Sequence, residues 1–206
     1  MDRAGIKAQN ALGIRVTHLR QIAKKIGKNH ELALQLWDSK IHEAMMLAAI
    51  IDEPKKVSSE QMEKWVADFY SWDICDNAIS SCFRKTSFAW DKVNAWVISK
   101  PEYEKRAGFA MIAILAVHEK KEPNATWLQL FPTLKEGAKD PRNFVKKAVN
   151  WAIRQIGKRN LALNAATIIF CNELLDMEEK SAQWIAKDAI KELKSEAVLN
   201  RLRQND

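Results

Sequence analysis

The sequence predicts an all-α fold, a curved stack of helix pairs, and three observations predict it. Apolar residues recur at helical spacing along nearly the whole chain, and no stretch alternates as a strand would. Glycine and proline are scarce, 6 and 5 in 206 residues, and they fall at segment ends. A weak internal repeat aligns Tyr103-Glu104-Lys105-Arg106-Ala107 with Phe144-Val145-Lys146-Lys147-Ala148, a shift of about 41 residues.

Helical periodicity covers 17–26, 30–38, 41–52, 59–69, 72–83, 88–98, 102–118, 125–137, 141–156, 161–176 and 181–203. Gly27 stops the first of these and Asn29 caps the second. Pro54 separates the third from the fourth, and Ser58 with Gln61 reads as a capping box. Ser71 is placed to cap the fifth, and Pro101 divides the sixth from the seventh. Asp140, Pro141 and Gly157 read as the cap, first position and left-handed stop of the ninth. The repeat length is in the range of HEAT-type units, each a pair of antiparallel helices. The expected architecture is therefore an α-α superhelix of HEAT-like helical repeats, about five helix pairs. It is read as a single domain over 1–206, with no boundary visible. A four-helix bundle would have fewer and longer helices.

At 47% hydrophobic the chain has enough apolar surface to fold. Net charge is +7, and the excess concentrates between Lys139 and Arg159, where seven cations face one acid, Asp140. That balance favours anionic partners. Cys75, Cys82 and Cys171 lack metal-type spacing and lie among apolar or small neighbours. They read as reduced, buried thiols of a cytoplasmic protein. The polar N-terminus shows no secretory signal, and no apolar run is long enough to span a membrane.

The most informative segment is the helix after Pro141. At about 100° per residue, Val145, Ala148, Val149, Ala152, Ile153 and Ile156 form one apolar face. Lys147, Trp151, Arg154 and Lys158 fall on the opposite face. An indole among three cations, away from the apolar face, suits a polyanion carrying flat rings, which is nucleic acid.

A second segment runs Phe69-Tyr70-Ser71-Trp72-Asp73-Ile74-Cys75-Asp76-Asn77. Trp72 and Asp76 stand one turn apart and share a helix side distinct from that of Ile74, Cys75, Ala78 and Cys82. Taken alone, these residues are read first as structural: Asp73 complements the helix dipole and Trp72 packs between repeats. Trp37, Trp65, Trp90, Trp96, Trp127 and Trp184 are read as core or inter-repeat packing. His30-Glu31 and His42-Glu43 lack the second histidine of a metal motif, and His18 and His118 stand alone. There is no glycine-rich phosphate loop.

Taken together, Ser71-Trp72-Asp73-Ile74-Cys75-Asp76, Lys105-Arg106-Ala107 and Phe144 to Arg154 resemble the DNA alkylation-repair family of HEAT-like glycosylases, the AlkD-like proteins. The W-x-x-x-D spacing at 72/76 and the W-x-x-R spacing at 151/154 carry the resemblance. It implies that Asp76 is the catalytic carboxylate and that Trp72 and Trp151 flank the lesion-bearing nucleotide. Arg106 and Arg154 would hold the DNA backbone, with Lys147 and Lys158 extending the basic contact. The substrate implied is double-stranded DNA with purines alkylated at N3 or N7, bound by a monomer without metal or organic cofactor. Family members carry further helices before the position matching Gly13, where this chain has only about a dozen residues.

The residue types fit that chemistry. An N3- or N7-alkylpurine is cationic and leaves readily, and positive charge moves to the sugar as the glycosidic bond stretches. A carboxylate about 4 Å away at an effective dielectric of ~20 attracts that charge by roughly 4 kcal/mol. Indole faces attract the cationic base by about 0.5–2 kcal/mol each. The alternatives are a DNA- or RNA-binding helical-repeat protein without catalysis and, ranked last, a protein-interaction scaffold.

Overall fold

Every regular element among residues 10–205, which the computed structural model describes, is helical. The elements are α1 (Val16–Ile26), α2 (His30–Asp38), α3 (His42–Ile51), α4 (Ser59–Ala67), α5 (Trp72–Ser81), a 3-10 turn (Phe83–Lys85) and α6 (Ala89–Trp96). They continue with α7 (Glu102–His118), α8 (Asn124–Leu128), α9 (Phe131–Ala138), α10 (Asn143–Gly157), α11 (Leu161–Leu175), α12 (Lys180–Leu193) and α13 (Glu196–Asn205). The chain forms two compact units, one ending at Ala95 and one beginning at Trp96. Among the described residues no helix is long and apolar enough to cross a membrane.

In the first unit, local signals set the helix ends. Gly27 closes α1 at φ 76°, a left-handed conformation that favours glycine, with its N–H bonded to the Ala23 carbonyl. Asn29 Oδ1 accepts from the Leu32 N–H at 3.0 Å. Ser58 Oγ accepts from the Gln61 N–H at 3.1 Å. The reciprocal half of the expected capping box is not made, because Gln61 Nε2 donates to Asp52 Oδ2 at 2.7 Å. Helix α3 is apolar around most of its circumference, as suits a helix enclosed by neighbours, and it packs against α1, α2 and α5. Behind it the buried rings of Trp37 and Trp65 stack at 3.9 Å and 2°, with Phe69 and Phe83 beside them. Trp37 Nε1 donates to Asp68 Oδ2 at 2.8 Å.

The segment before α1 is clasped by a buried carboxylate. Glu43 accepts the backbone N–H groups of Leu12 (2.8 Å), Gly13 (2.7 Å) and Ile14 (3.3 Å). Burial pushes its pKa up, but these N–H donors and the neighbouring His42 outweigh that and hold it below the ordinary range. A depressed folded value stabilises above the ordinary carboxylate range and is lost as pH falls through it. Amide-exchange protection at Leu12, Gly13 and Ile14 should therefore drop as pH falls below the ordinary carboxylate value of about 4.5, ahead of protection in α3. Glu43→Gln should lower it at neutral pH.

In the second unit α7 is buried continuously from Arg106 to Ala116, and α10 packs against α7, α9, α11 and α12. Helices α7, α10 and α12 begin at residues 102, 143 and 180, so the repeat read from the sequence continues at a spacing of about 40 residues. Two expected helices are each divided. Pro132 cannot continue a helix through Leu128, four residues back, so 125–137 breaks into α8 and α9. Ser195 Oγ donates to the Glu192 carbonyl at 2.7 Å and accepts from the Val198 N–H at 3.4 Å, ending α12 and opening α13.

Two expectations for α10 change. The helix starts at Asn143, because Asp140 folds back locally and accepts from the Arg142 N–H (3.1 Å) and guanidinium (2.6 and 2.9 Å). Burial opposes the charge on Asp140, but the hydrogen bonds from Arg142 and Lys105 prevail and hold its carboxyl at about 2. Gly157 is not a left-handed stop but the last helical residue of α10. Its need is closeness: an added Cβ would lie 2.8 Å from both Leu193 methyls and 3.2 Å from Thr167 Cβ. The three cysteines are buried and outside any disulfide, as expected, and burial pushes the Cys82 and Cys171 thiols up to about 12.

Candidate nucleic-acid interface

Helix α5 carries the first group of candidate residues. Trp72 opens it and Asp76 follows one turn later, both half-buried rather than sealed in the core. The competing carboxylate, Asp73, is fully engaged. It accepts from Ser71 Oγ at 2.5 Å and from the Ile74 N–H at 3.0 Å, and lies 2.9 Å from His42 Nε2. His42 is buried, and its Nδ1 lies 2.9 Å from the Tyr70 hydroxyl. Burial raises the Asp73 pKa, but the His42 and Ser71 hydrogen bonds outweigh it and leave the carboxyl below its ordinary range. Ser71 thus occupies the expected cap position without capping, since its hydroxyl goes to Asp73. Asn77 Nδ2 donates to the Met46 carbonyl at 2.8 Å and fixes α5 against α3. This frame joins residues 28 to 31 apart in sequence, and nothing within either segment alone signals the pairing.

Helix α10 carries the second group. Trp151 is half-buried and Lys147 is exposed. With the Gln155 amide oriented to satisfy its surroundings, its oxygen accepts from Trp151 Nε1 at 3.1 Å and Lys158 Nζ at 3.3 Å. Arg154 and Lys158 face carboxylates of α12. Arg154 pairs with Glu192 and lies 3.7 Å from Asp188, and Lys158 Nζ donates to Glu192 Oε1 at 2.5 Å. Burial raises the Glu192 pKa, and the contacts with Lys158 and Arg154 bring it below the ordinary range. The same ladder continues toward the start of α10. Asn150 Nδ2 donates to Asp188 Oδ2 at 2.6 Å, and Lys146 Nζ sits 4.6 Å from the Trp184 ring centre.

The sequence-derived stripe is therefore divided. Lys147 and Trp151 keep access to solvent, while Arg154 and Lys158 are held by an anionic neighbour that periodicity within α10 cannot reveal. Arg106 differs more. It is 5% exposed, and its Nη1 donates to the Phe144 carbonyl at 2.9 Å, tying α7 to the first turn of α10. The expectation of a phosphate contact at Arg106 gives way to this internal one. Trp37, Trp65, Trp96 and Trp127 are buried as expected, but Trp184 is 40% exposed, because its ring faces Lys146 rather than the core. No group of three or more potential metal ligands occurs among the described residues.

A family model described as DNA alkylation repair enzyme matches residues 1–193. The chain belongs to this DNA alkylation repair family. Its relatives include an uncharacterized protein of Listeria innocua, 28% identical over 70% of this chain and 64% of the relative. An uncharacterized protein of Listeria monocytogenes is 29% identical over 47% of this chain and 45% of its own length. The chain thus spans less than two thirds of the length of the curated relatives it matches. Among solved structures, one superposes at TM-score 0.75 with 20% identity, covering 91% of this chain and 88% of that one. It is described as a new family of proteins related to the HEAT-like repeat DNA glycosylases with affinity for branched DNA structures. At that identity the likeness establishes the HEAT-like fold, in which the family's all-helical architecture is shared.

Proposed function

We propose that this protein binds DNA and releases purines alkylated at N3 or N7 by hydrolysing their N-glycosidic bond. The observation that carries the reading is on α5: Trp72 and Asp76 stand one turn apart and each is half-buried rather than sealed in the core. Asp76 is the carboxylate that meets developing positive charge on the sugar. The electron pair of the breaking bond goes to the purine, which leaves neutral because it began cationic. Water adds to C1′ and gives up a proton. Trp72 and Trp151 offer indole faces to bases, and Lys147, Arg154 and Lys158 meet phosphates. Family membership supports the repair context.

The experiment is incubation of the protein with duplex DNA bearing N7-methylguanine, with free base read by chromatography. Release above the spontaneous rate is expected, and its absence at saturating protein would refute catalysis. If three cations reach phosphates, duplex affinity measured by anisotropy should fall with salt at a log–log slope of about −3.

A second reading, DNA binding without base release, is favoured by two observations. Glu192 already neutralises Arg154 and Lys158, and the solved relative is described by its affinity for branched DNA. Under either reading, Glu192→Gln should free both cations. The expected gain is about 1 kcal/mol, roughly fivefold tighter duplex binding, read by the same anisotropy titration.

A further inference from the structure

The second unit contains a pocket of about 430 Å³ whose lining includes Lys120, Gln155, Lys158, Arg159 and Arg201, with Val117 as an apolar wall and no acidic residue. That size falls within the range of small-ligand sites, about 300–1,000 Å³. We propose that this pocket holds the terminal phosphate of a nucleic-acid strand, an inference that rests on the DNA-binding reading above.

Four cations from separate parts of the chain meet at one concavity: Lys120 just after α7, Lys158 and Arg159 just after α10, and Arg201 on α13. Two of them are fixed in advance. Arg159 donates to the carbonyls of Ala116 (2.5 Å), Glu119 (2.9 Å) and Glu122 (3.3 Å), and its guanidinium lies 4.4 Å from the Trp127 ring centre. Its buried Nε has no hydrogen-bond partner. Lys158 is held by Glu192 and Gln155. Cations already immobilised lose little freedom when an anion arrives, which favours binding. Lys120 is exposed and has no ion pair among the described residues.

The shape and charge select a strand end over a strand interior. An internal phosphodiester carries one negative charge and continues in both directions, which suits an open groove. A terminal phosphomonoester carries about −1.5 to −2 at neutral pH and enters a concavity end-on. Four cations, offset by the Glu192 carboxylate on Lys158, match the dianion better. Gln155 connects the pocket to Trp151, because the same amide oxygen accepts from the indole N–H and from Lys158. A strand lying along α10 could therefore stack a base on Trp151 near the end whose phosphate is held.

The test compares one fluorescent duplex carrying a hydroxyl, a 5′-phosphate or a 3′-phosphate at its unlabelled end, titrated with the full chain and read by anisotropy. At least one phosphorylated duplex should bind about tenfold tighter than the hydroxyl-ended one. Lys120→Glu, at an exposed position, should bring that ratio to one, and Arg201→Glu should do so independently. The ratio, not the absolute affinity, is the readout, since either charge reversal weakens DNA binding generally. Equal binding of all three duplexes by the unaltered protein overturns the inference and leaves the DNA-binding reading intact. A ratio that survives both substitutions also overturns it, since the end is then read elsewhere. Failure to bind any duplex defeats the broader reading together with this one.

Discussion

Asp76→Asn should reduce release of N7-methylguanine about a thousandfold while duplex affinity changes by less than about threefold. The magnitude follows from chemistry. A full charge on the sugar about 4 Å from a carboxylate at an effective dielectric of ~20 is stabilised by roughly 4 kcal/mol, which is about three decades in rate if the attraction develops only in the transition state. Asparagine keeps the shape and loses the charge, so the loss should appear in single-turnover rate rather than in binding. Asp73→Asn is the informative control. Asp73 is bonded to His42, Ser71 and the Ile74 N–H, so its replacement should lower the melting temperature and affect turnover only in step with folding. Full turnover by the Asp76 variant would reassign the carboxylate role.

The second large effect is on stability. Trp37→Ala removes one half of the buried stack with Trp65, whose rings lie 3.9 Å apart, and leaves Asp68 without its indole donor. Deleting a buried tryptophan costs about 3–5 kcal/mol through lost transfer energy and the remaining cavity, a large share of a domain's net stability. Urea unfolding followed by tryptophan fluorescence should show the midpoint fall without a change in slope. Trp37→Phe keeps a ring against Trp65 and should cost less than half as much. A cost below about 1 kcal/mol for the alanine variant would mean that the two rings are not a principal support.

Much of this molecule is legible along a single strand of letters. Gly27, Asn29 and Ser58 end or begin helices for reasons that lie within four residues of each, and the structure agrees with all three. The repeat of Tyr103–Ala107 at Phe144–Ala148 places α7 and α10 correctly as equivalent helices. What the sequence hides has a shared origin. Arg154, Lys158 and Arg106 look available when only their own helix is considered, yet their partners Glu192 and Phe144 lie 34 to 38 residues away. Gly157 looks like a stop signal until Leu193 and Thr167 are placed against it. On α5, likewise, sequence phase puts Trp72 beside Asp76 but cannot say that Asp73 is occupied, because His42 comes from another helix.

The burial of all three native thiols has a practical corollary. With Cys82 and Cys171 held in protonated form far above neutral pH, and Cys75 fully enclosed, maleimide dyes should leave the unaltered protein nearly unlabelled. One cysteine introduced at an exposed site in each unit, Lys64 and Lys187 for example, would then carry a donor and an acceptor without removing any native cysteine. Energy transfer between them would report whether the two halves of the chain change their separation when DNA arrives.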